Sequence, residues 1–98
     1  MLKKYAKGRR LEYRVKKYLE GCGWCVFRCA GSKPVDLLAL KDGQACIVEC
    51  KTSRISKKEF QEKLSMARAV NCGLMVVMPG QGWSYVPPEY EPFEFNWA

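Results

Sequence analysis

The period of the apolar positions changes along this chain, and each change marks an element. Leu11, Val15, Tyr18 and Leu19 recur at i, i+4, i+7 and i+8, with Tyr5 extending the stripe. That spacing predicts an amphipathic helix from about Lys3 to Glu20, ended by Gly21 and Gly23. Trp24 to Cys29 reads as a strand, and Ala30-Gly31-Ser32-Lys33-Pro34 as a loop. Val35 to Lys41 and Gln44 to Cys50 then flank Asp42-Gly43, a strong two-residue hairpin signal. Leu38, Leu40 and Ile47 fall on one face of that hairpin, and Leu37, Ala39, Cys46 and Val48 on the other. Two apolar faces predict a central pair of strands covered on both sides.

A second helix follows. Ser56 and Glu59 form the S-x-x-E capping signature, and Phe60, Leu64 and Ala67, with Met66 and Val70, mark a buried side reaching about Asn71. Cys72-Gly73 ends it. Leu74 to Met78 reads as a buried strand, and Pro79-Gly80-Gln81-Gly82 turns the chain into Trp83 to Val86. The Pro-broken tail carries Phe93, Phe95 and Trp97, which suit a short edge strand or a partner contact. The order is α-β-β-β-α-β-β, an α/β fold with a central mixed sheet of about five strands flanked by two helices. Without a linker or repeat, residues 1–98 read as a single domain.

The hairpin places chemistry as well as core. With Asp42-Gly43 as the turn, positions that sum to 85 face each other, so Asp36 stands opposite Glu49. Lys51, two residues beyond Glu49, points to the same face. Opposed carboxylates repel and destabilise a strand pair unless a cation neutralises them. Two hard oxygen ligands beside an ammonium suit a magnesium-dependent phosphodiesterase, with Mn²⁺ as the other ion that oxygen ligands accept. The Cys50 carbonyl is a further oxygen between them. Lys51 would orient the attacking water or stabilise developing charge. Glu12 is a third acid, on the first helix, with a salt bridge to Lys16 at i+4 as its alternative role.

Charge distribution strengthens the phosphate reading. The 98 residues carry a net charge of +7 and no histidine. Eight of the 17 basic residues, among them Lys4, Lys7, Arg9, Arg10 and Arg14, lie between Lys3 and Lys17, opposed there only by Glu12. A basic helix face suggests a polyanion such as a phosphate backbone, and a solvated helix face is its plainer explanation. The six cysteines do not make a zinc motif: Cys22-x-x-Cys25 and Cys29 lack a second pair or a histidine. Cys46, Cys50 and Cys72 fall in apolar patterns and read as small reduced core residues. No run approaches the roughly 18 apolar residues of a membrane span, and the start has no apolar signal region, so a cytoplasmic location is expected.

Three segments then stand together: Lys7-Gly8-x-x-x-Glu12, Arg28-Cys29-Ala30-Gly31-Ser32-Lys33-Pro34-Val35-Asp36-Leu37 and Ile47-Val48-Glu49-Cys50-Lys51. They resemble the archaeal-type Holliday junction resolvases of the PD-(D/E)XK nuclease superfamily, closely over roughly residues 7 to 53. The resemblance implies a restriction-endonuclease-like fold and a homodimer that binds four-way DNA junctions. It implies Mg²⁺-dependent nicks in two opposed strands that leave 5′-phosphate ends, in an archaeal cell or a virus-infected host. Glu12, Asp36, Glu49 and Lys51 match the family's catalytic acids and lysine, and the acids its metal ligands. Ser32 matches a loop serine near the scissile phosphate; Arg28 and Lys33 match basic positions associated with DNA. One position departs: Tyr13 stands where the family often has a basic residue, and Arg9, Arg10 or Arg14 are candidates to substitute. A nuclease for flaps, forks or damaged duplex, and a non-catalytic nucleic-acid-binding domain, are the alternative functions.

Overall fold

The computed structural model describes residues 2–88, with side chains described there except those of residues 2–7 and Ser32. Helix α1 spans Leu2–Gly21, and strand β1 spans Cys25–Arg28. A single 3-10 turn at Ala30–Ser32 leads to β2, Leu37–Lys41, and β3, Gln44–Cys50. Helix α2, Lys57–Ala69, crosses to β4, Gly73–Met78, which turns into β5, Gly82–Val86. The predicted element order is therefore the observed one. The aromatic tail positions Phe93, Phe95 and Trp97 lie outside the described residues.

The five strands lie in sequence order across one sheet. All neighbours are antiparallel except β3 and β4, which are parallel because α2 carries the chain back between them. The hairpin register is the predicted one: Leu37 pairs with Val48, Ala39 with Cys46 and Lys41 with Gln44. Its turn places both Asp42 (φ 50°) and Gly43 (φ 77°) in the left-handed region, as a type I′ turn requires. Asp tolerates that conformation because its side chain is short and polar, and Gly because it has no Cβ.

Each face of the sheet holds its own core. On one, Leu11, Val15 and Leu19 of α1 pack on Val26, Leu37, Ala39, Cys46, Val48 and Val77. On the other, Leu64 and Ala67 of α2 pack with Val35, Ile47, Leu74 and Val76. Strand β3, with α1 over one face and α2 over the other, contributes to both, which explains its nearly continuous burial from Cys46 to Glu49.

Three packing expectations need correction. Tyr18 belongs to the sequence stripe of α1 but is 61% exposed; it leans on Trp83 of edge strand β5, ring centroids 5.2 Å apart. Val70 caps α2 and is exposed, so the buried side ends at Ala67. The hairpin is also not covered evenly. Helix α2 packs over β3 and β4, leaving Phe27 and Leu40 exposed and Leu38 half-buried on the outer part of that face.

Two stability effects follow from this packing. Leu37 is fully buried, so Leu37→Ala should lower unfolding free energy by about 2–5 kcal/mol. Ser56 Oγ accepts the Glu59 amide at 3.1 Å, so Ser56→Ala should lower it by about 1 kcal/mol. Urea unfolding of the metal-free protein measures both, and equal losses would refute this assignment of core and cap.

Candidate active site

Asp36 and Glu49 continue the hairpin register one step past Leu37 and Val48, at the end of the sheet where β2 begins and β3 finishes. There the carboxylates take over the ladder. Asp36 Oδ2 accepts the Cys50 amide at 2.8 Å, and Glu49 Oε1 accepts the Asp36 amide at 3.3 Å. Each acid is thus held by the backbone of the strand opposite. Cys29 N–H donates to the Asp36 carbonyl at 3.1 Å, tying the end of β1 to the same point. The Lys51 amide donates to Val77 at 2.9 Å and continues the parallel ladder.

Glu49 is only 5% exposed. Burial, then the nearby Asp36 carboxylate, push its pKa from 4.5 up to about 7; Lys63 and the Asp36 amide act against that rise. Lys63, on α2, sits 3.5 Å from Glu49 Oε1 and donates to the Pro34 carbonyl at 2.5 Å. Lys51 Nζ lies on the α2 side of the sheet, as the alternation from Glu49 predicts, and pairs with Glu59 Oε2 at 2.6 Å.

Glu12 comes from the other side of the sheet. It is buried on α1, and Lys16 pairs with Glu20 at 2.9 Å rather than with it. Arg28 NH2 reaches Glu12 Oε1 at 3.7 Å, while Arg28 NH1 donates to the Tyr13 hydroxyl at 3.3 Å. The guanidinium also lies 4.7 Å from the Tyr13 ring centroid. Tyr13, where a basic residue was expected, therefore holds an arginine beside the acid rather than replacing one.

The three acids converge around the end of β3. Burial first, then the Asp36, Glu12 and Glu49 carboxylates, drive the Cys50 thiol above its ordinary range, so it stays protonated and inert. Burial likewise lifts Cys46 to about 12. Both are core thiols, as the apolar pattern predicts, whereas Cys22 and Cys25 are exposed. The acids do not, however, form one three-acid cluster. Among the described residues, no group of three His, Cys, Asp or Glu side chains is placed to hold a metal. Glu12 falls short because α1 delivers it from the sheet face opposite Glu49. The two acids the structure brings together are Asp36 and Glu49. Two carboxylates fit an ion such as Mg²⁺, which usually keeps several waters and takes one or two protein acids. The Lys63 ammonium already stands at Glu49.

Arg9, Arg10, Arg14, Arg28 and Lys33 are all exposed, while the side chains of Lys4, Lys7 and Ser32 lie outside the described residues. Arg14 lines a groove of about 420 Å³ between α1 and the β4–β5 turn, floored by Leu11, Val15 and Val77. Sequence reasoning missed Glu59 and Lys63. Their i, i+4 spacing was the available signal, and it reads as an ordinary helix pair.

The comparisons with known proteins meet this geometry. The family model "Archaeal holliday junction resolvase (hjc)" matches residues 3–84. The chain belongs to the archaeal Holliday junction resolvase family. Among resolvases of this family, the crossover junction endodeoxyribonuclease Hjc of Methanocaldococcus jannaschii is 48% identical over 68 residues, covering 65% of this chain and 51% of that protein. This resolvase-family chain thus spans about half the length of the curated relative it matches. The solved Hjc of Archaeoglobus fulgidus, a Holliday junction resolvase, aligns with a TM-score of 0.60 over 83% of this chain and 72% of that one, at 22% identity. That likeness shows a shared fold, the α/β restriction-endonuclease-like architecture expected from the sequence.

The pH dependence of stability isolates Glu49. In the native chain it keeps its proton up to about pH 7, and in the unfolded chain only to about 4.5. Its contribution is therefore full below pH 4.5 and is lost as pH rises through 7. Glu49→Gln should raise metal-free stability at pH 8 by about 1–3 kcal/mol, with the gain vanishing below pH 4.5. Chelated samples melted across pH 4–8 test this, and a pH-independent difference would show that burial of the charge is not the cause.

Proposed function

We propose that this chain is a Mg²⁺-dependent endonuclease that nicks opposed strands of four-way DNA junctions as a homodimer in the cytoplasm. The observation that carries the reading is the backbone-held Asp36–Glu49 pair, with Glu49 buried and Asp36 half-buried, on the face that also carries Lys51. A bound divalent ion would polarise a phosphoryl oxygen and lower the pKa of a water, giving 5′-phosphate and 3′-hydroxyl ends. Asp36 and Glu49 would hold that ion, and Mn²⁺ would serve the same oxygens. Lys51, on the same face, would orient the water or stabilise charge on the phosphate. Ser32, matching the family's loop serine, would lie near the scissile phosphate.

Glu12 acts at one remove in this reading, fixing Arg28 at the edge of the site where a strand would pass. The exposed Arg9, Arg10 and Arg14 on α1, with Lys4, Lys7 and Lys33, would track the phosphate backbone. Each chain carries a single Asp36–Glu49 pair, and two opposed strands need two sites, so a two-fold dimer follows. On α2, Leu64 is buried while Phe60 and Met66 are half-buried, so that side is one candidate dimer surface. The open strip of Phe27, Leu38 and Leu40 is a second candidate.

Cleavage of a synthetic four-way junction beside flap, fork and linear duplex tests the reading. Junction nicking with Mg²⁺ that falls by at least about 10²-fold in Asp36→Asn, with junction binding kept, is the expected result. Absence of cutting in any divalent metal would remove the enzyme, and equal cutting of linear duplex would remove the junction selectivity. Neutralising Arg14 should weaken junction binding and flatten its salt dependence by roughly one unit of slope if it meets a phosphate.

A further inference from the structure

We propose that Lys63 is the resident counter-cation of the acid pair, a positioning residue that an arriving metal ion must displace from Glu49. The inference rests on the metal-site reading above. Glu59 and Lys63 stand one turn apart on α2, where they could pair with each other. They do not. Glu59 holds Lys51 at 2.6 Å, and Lys63 stands 3.5 Å from Glu49. Strand and helix thus cross their charges, the helix acid on the strand lysine and the helix lysine on the strand acid.

The lysine's second contact gives it a positioning role. Lys63 Nζ also donates to the Pro34 carbonyl at 2.5 Å, two residues before Asp36. One ammonium therefore ties the loop that delivers Asp36 to the strand that delivers Glu49. Its side chain is 20% exposed and that of Glu49 is 7% exposed, so water and salt screen the contact weakly. Such a contact supports the metal-free fold, which otherwise carries two opposed carboxylates with no cation. The same contact opposes a divalent ion, since both positive charges seek Glu49 within one small space.

Lys63 should consequently have effects of opposite sign on the two states. Mn²⁺ titration by calorimetry at pH 8.5, with melting of the same proteins in chelator, separates them. Lys63→Gln should bind Mn²⁺ roughly three- to tenfold tighter than the natural chain. Its metal-free melting temperature should be lower by roughly 4–8 °C. Lys63→Arg, which keeps the charge, should stay near the natural values in both. Should Lys63→Gln unfold without metal, refolding on Mn²⁺ supports the proposal and failure to refold overturns it. Unchanged or weaker Mn²⁺ affinity in Lys63→Gln, or an unchanged metal-free melting temperature, also overturns it. Equal Mn²⁺ affinity in all three proteins removes the role of Lys63 alone, whereas no Mn²⁺ binding by any of them removes the metal site itself.

Discussion

Two hydrogen bonds at the open end of the β2–β3 hairpin set the geometry on which the site depends. Asp36 accepts the Cys50 amide and Glu49 accepts the Asp36 amide, so each carboxylate occupies the place a ladder carbonyl would otherwise take. The acids therefore inherit the register of the sheet rather than the freedom of a loop. A slip of one residue would move Glu49 to the α1 face and Cys50 to the α2 face, and no pair would remain. The type I′ turn at Asp42-Gly43, five residues from Leu37 in one direction and from Val48 in the other, is what forbids that slip. Turn chemistry at one end of a hairpin thus fixes the separation of two charges at its other end.

Much of this arrangement was legible because it depends on local rules. The period-2 alternation around a two-residue turn placed Leu37 against Val48 and Asp36 against Glu49, and the capping signature located the start of α2 at Ser56. Where the expectation missed, a tertiary contact had overridden a local one. Glu12 and Lys16 are spaced for an i, i+4 bridge, but Lys16 has Glu20 within 2.9 Å, and Glu12 is drawn to Arg28 from β1. Tyr18 carries the helical period of the core stripe yet rides on Trp83 of the edge strand β5, where it stays exposed. Nothing in the spacing of either residue reports which strand will lie alongside.

Helix α2 shows why its share of the site was hidden. Its third residue, Glu59, satisfies the sequence pattern of a reciprocal cap, in which Ser56 would take the Glu59 amide and Glu59 the Ser56 amide. The hydroxyl does its part at 3.1 Å, but the carboxylate turns away to Lys51. Half of the capping device is therefore spent on the site. A local rule that is met in sequence and broken in structure commonly marks a functional demand, and here the demand is to keep a lysine extended at the strand end.

Charge balance gives that demand a direction. The Lys51–Glu59 pair and the Arg28–Glu12 pair are each neutral, while the two acids Asp36 and Glu49 have the Lys63 ammonium at Glu49. The sheet end is thus left with an excess of negative charge, within a chain whose overall charge is +7. That local excess is maintained in a place of low water access, where Glu49 answers it by holding its proton up to about pH 7. A divalent ion held by Asp36 and Glu49, as proposed, would remove the excess and the proton together. The positive surface around this small negative centre would draw a nucleic-acid backbone in, and a bound metal together with Lys51 would then bear on the phosphate.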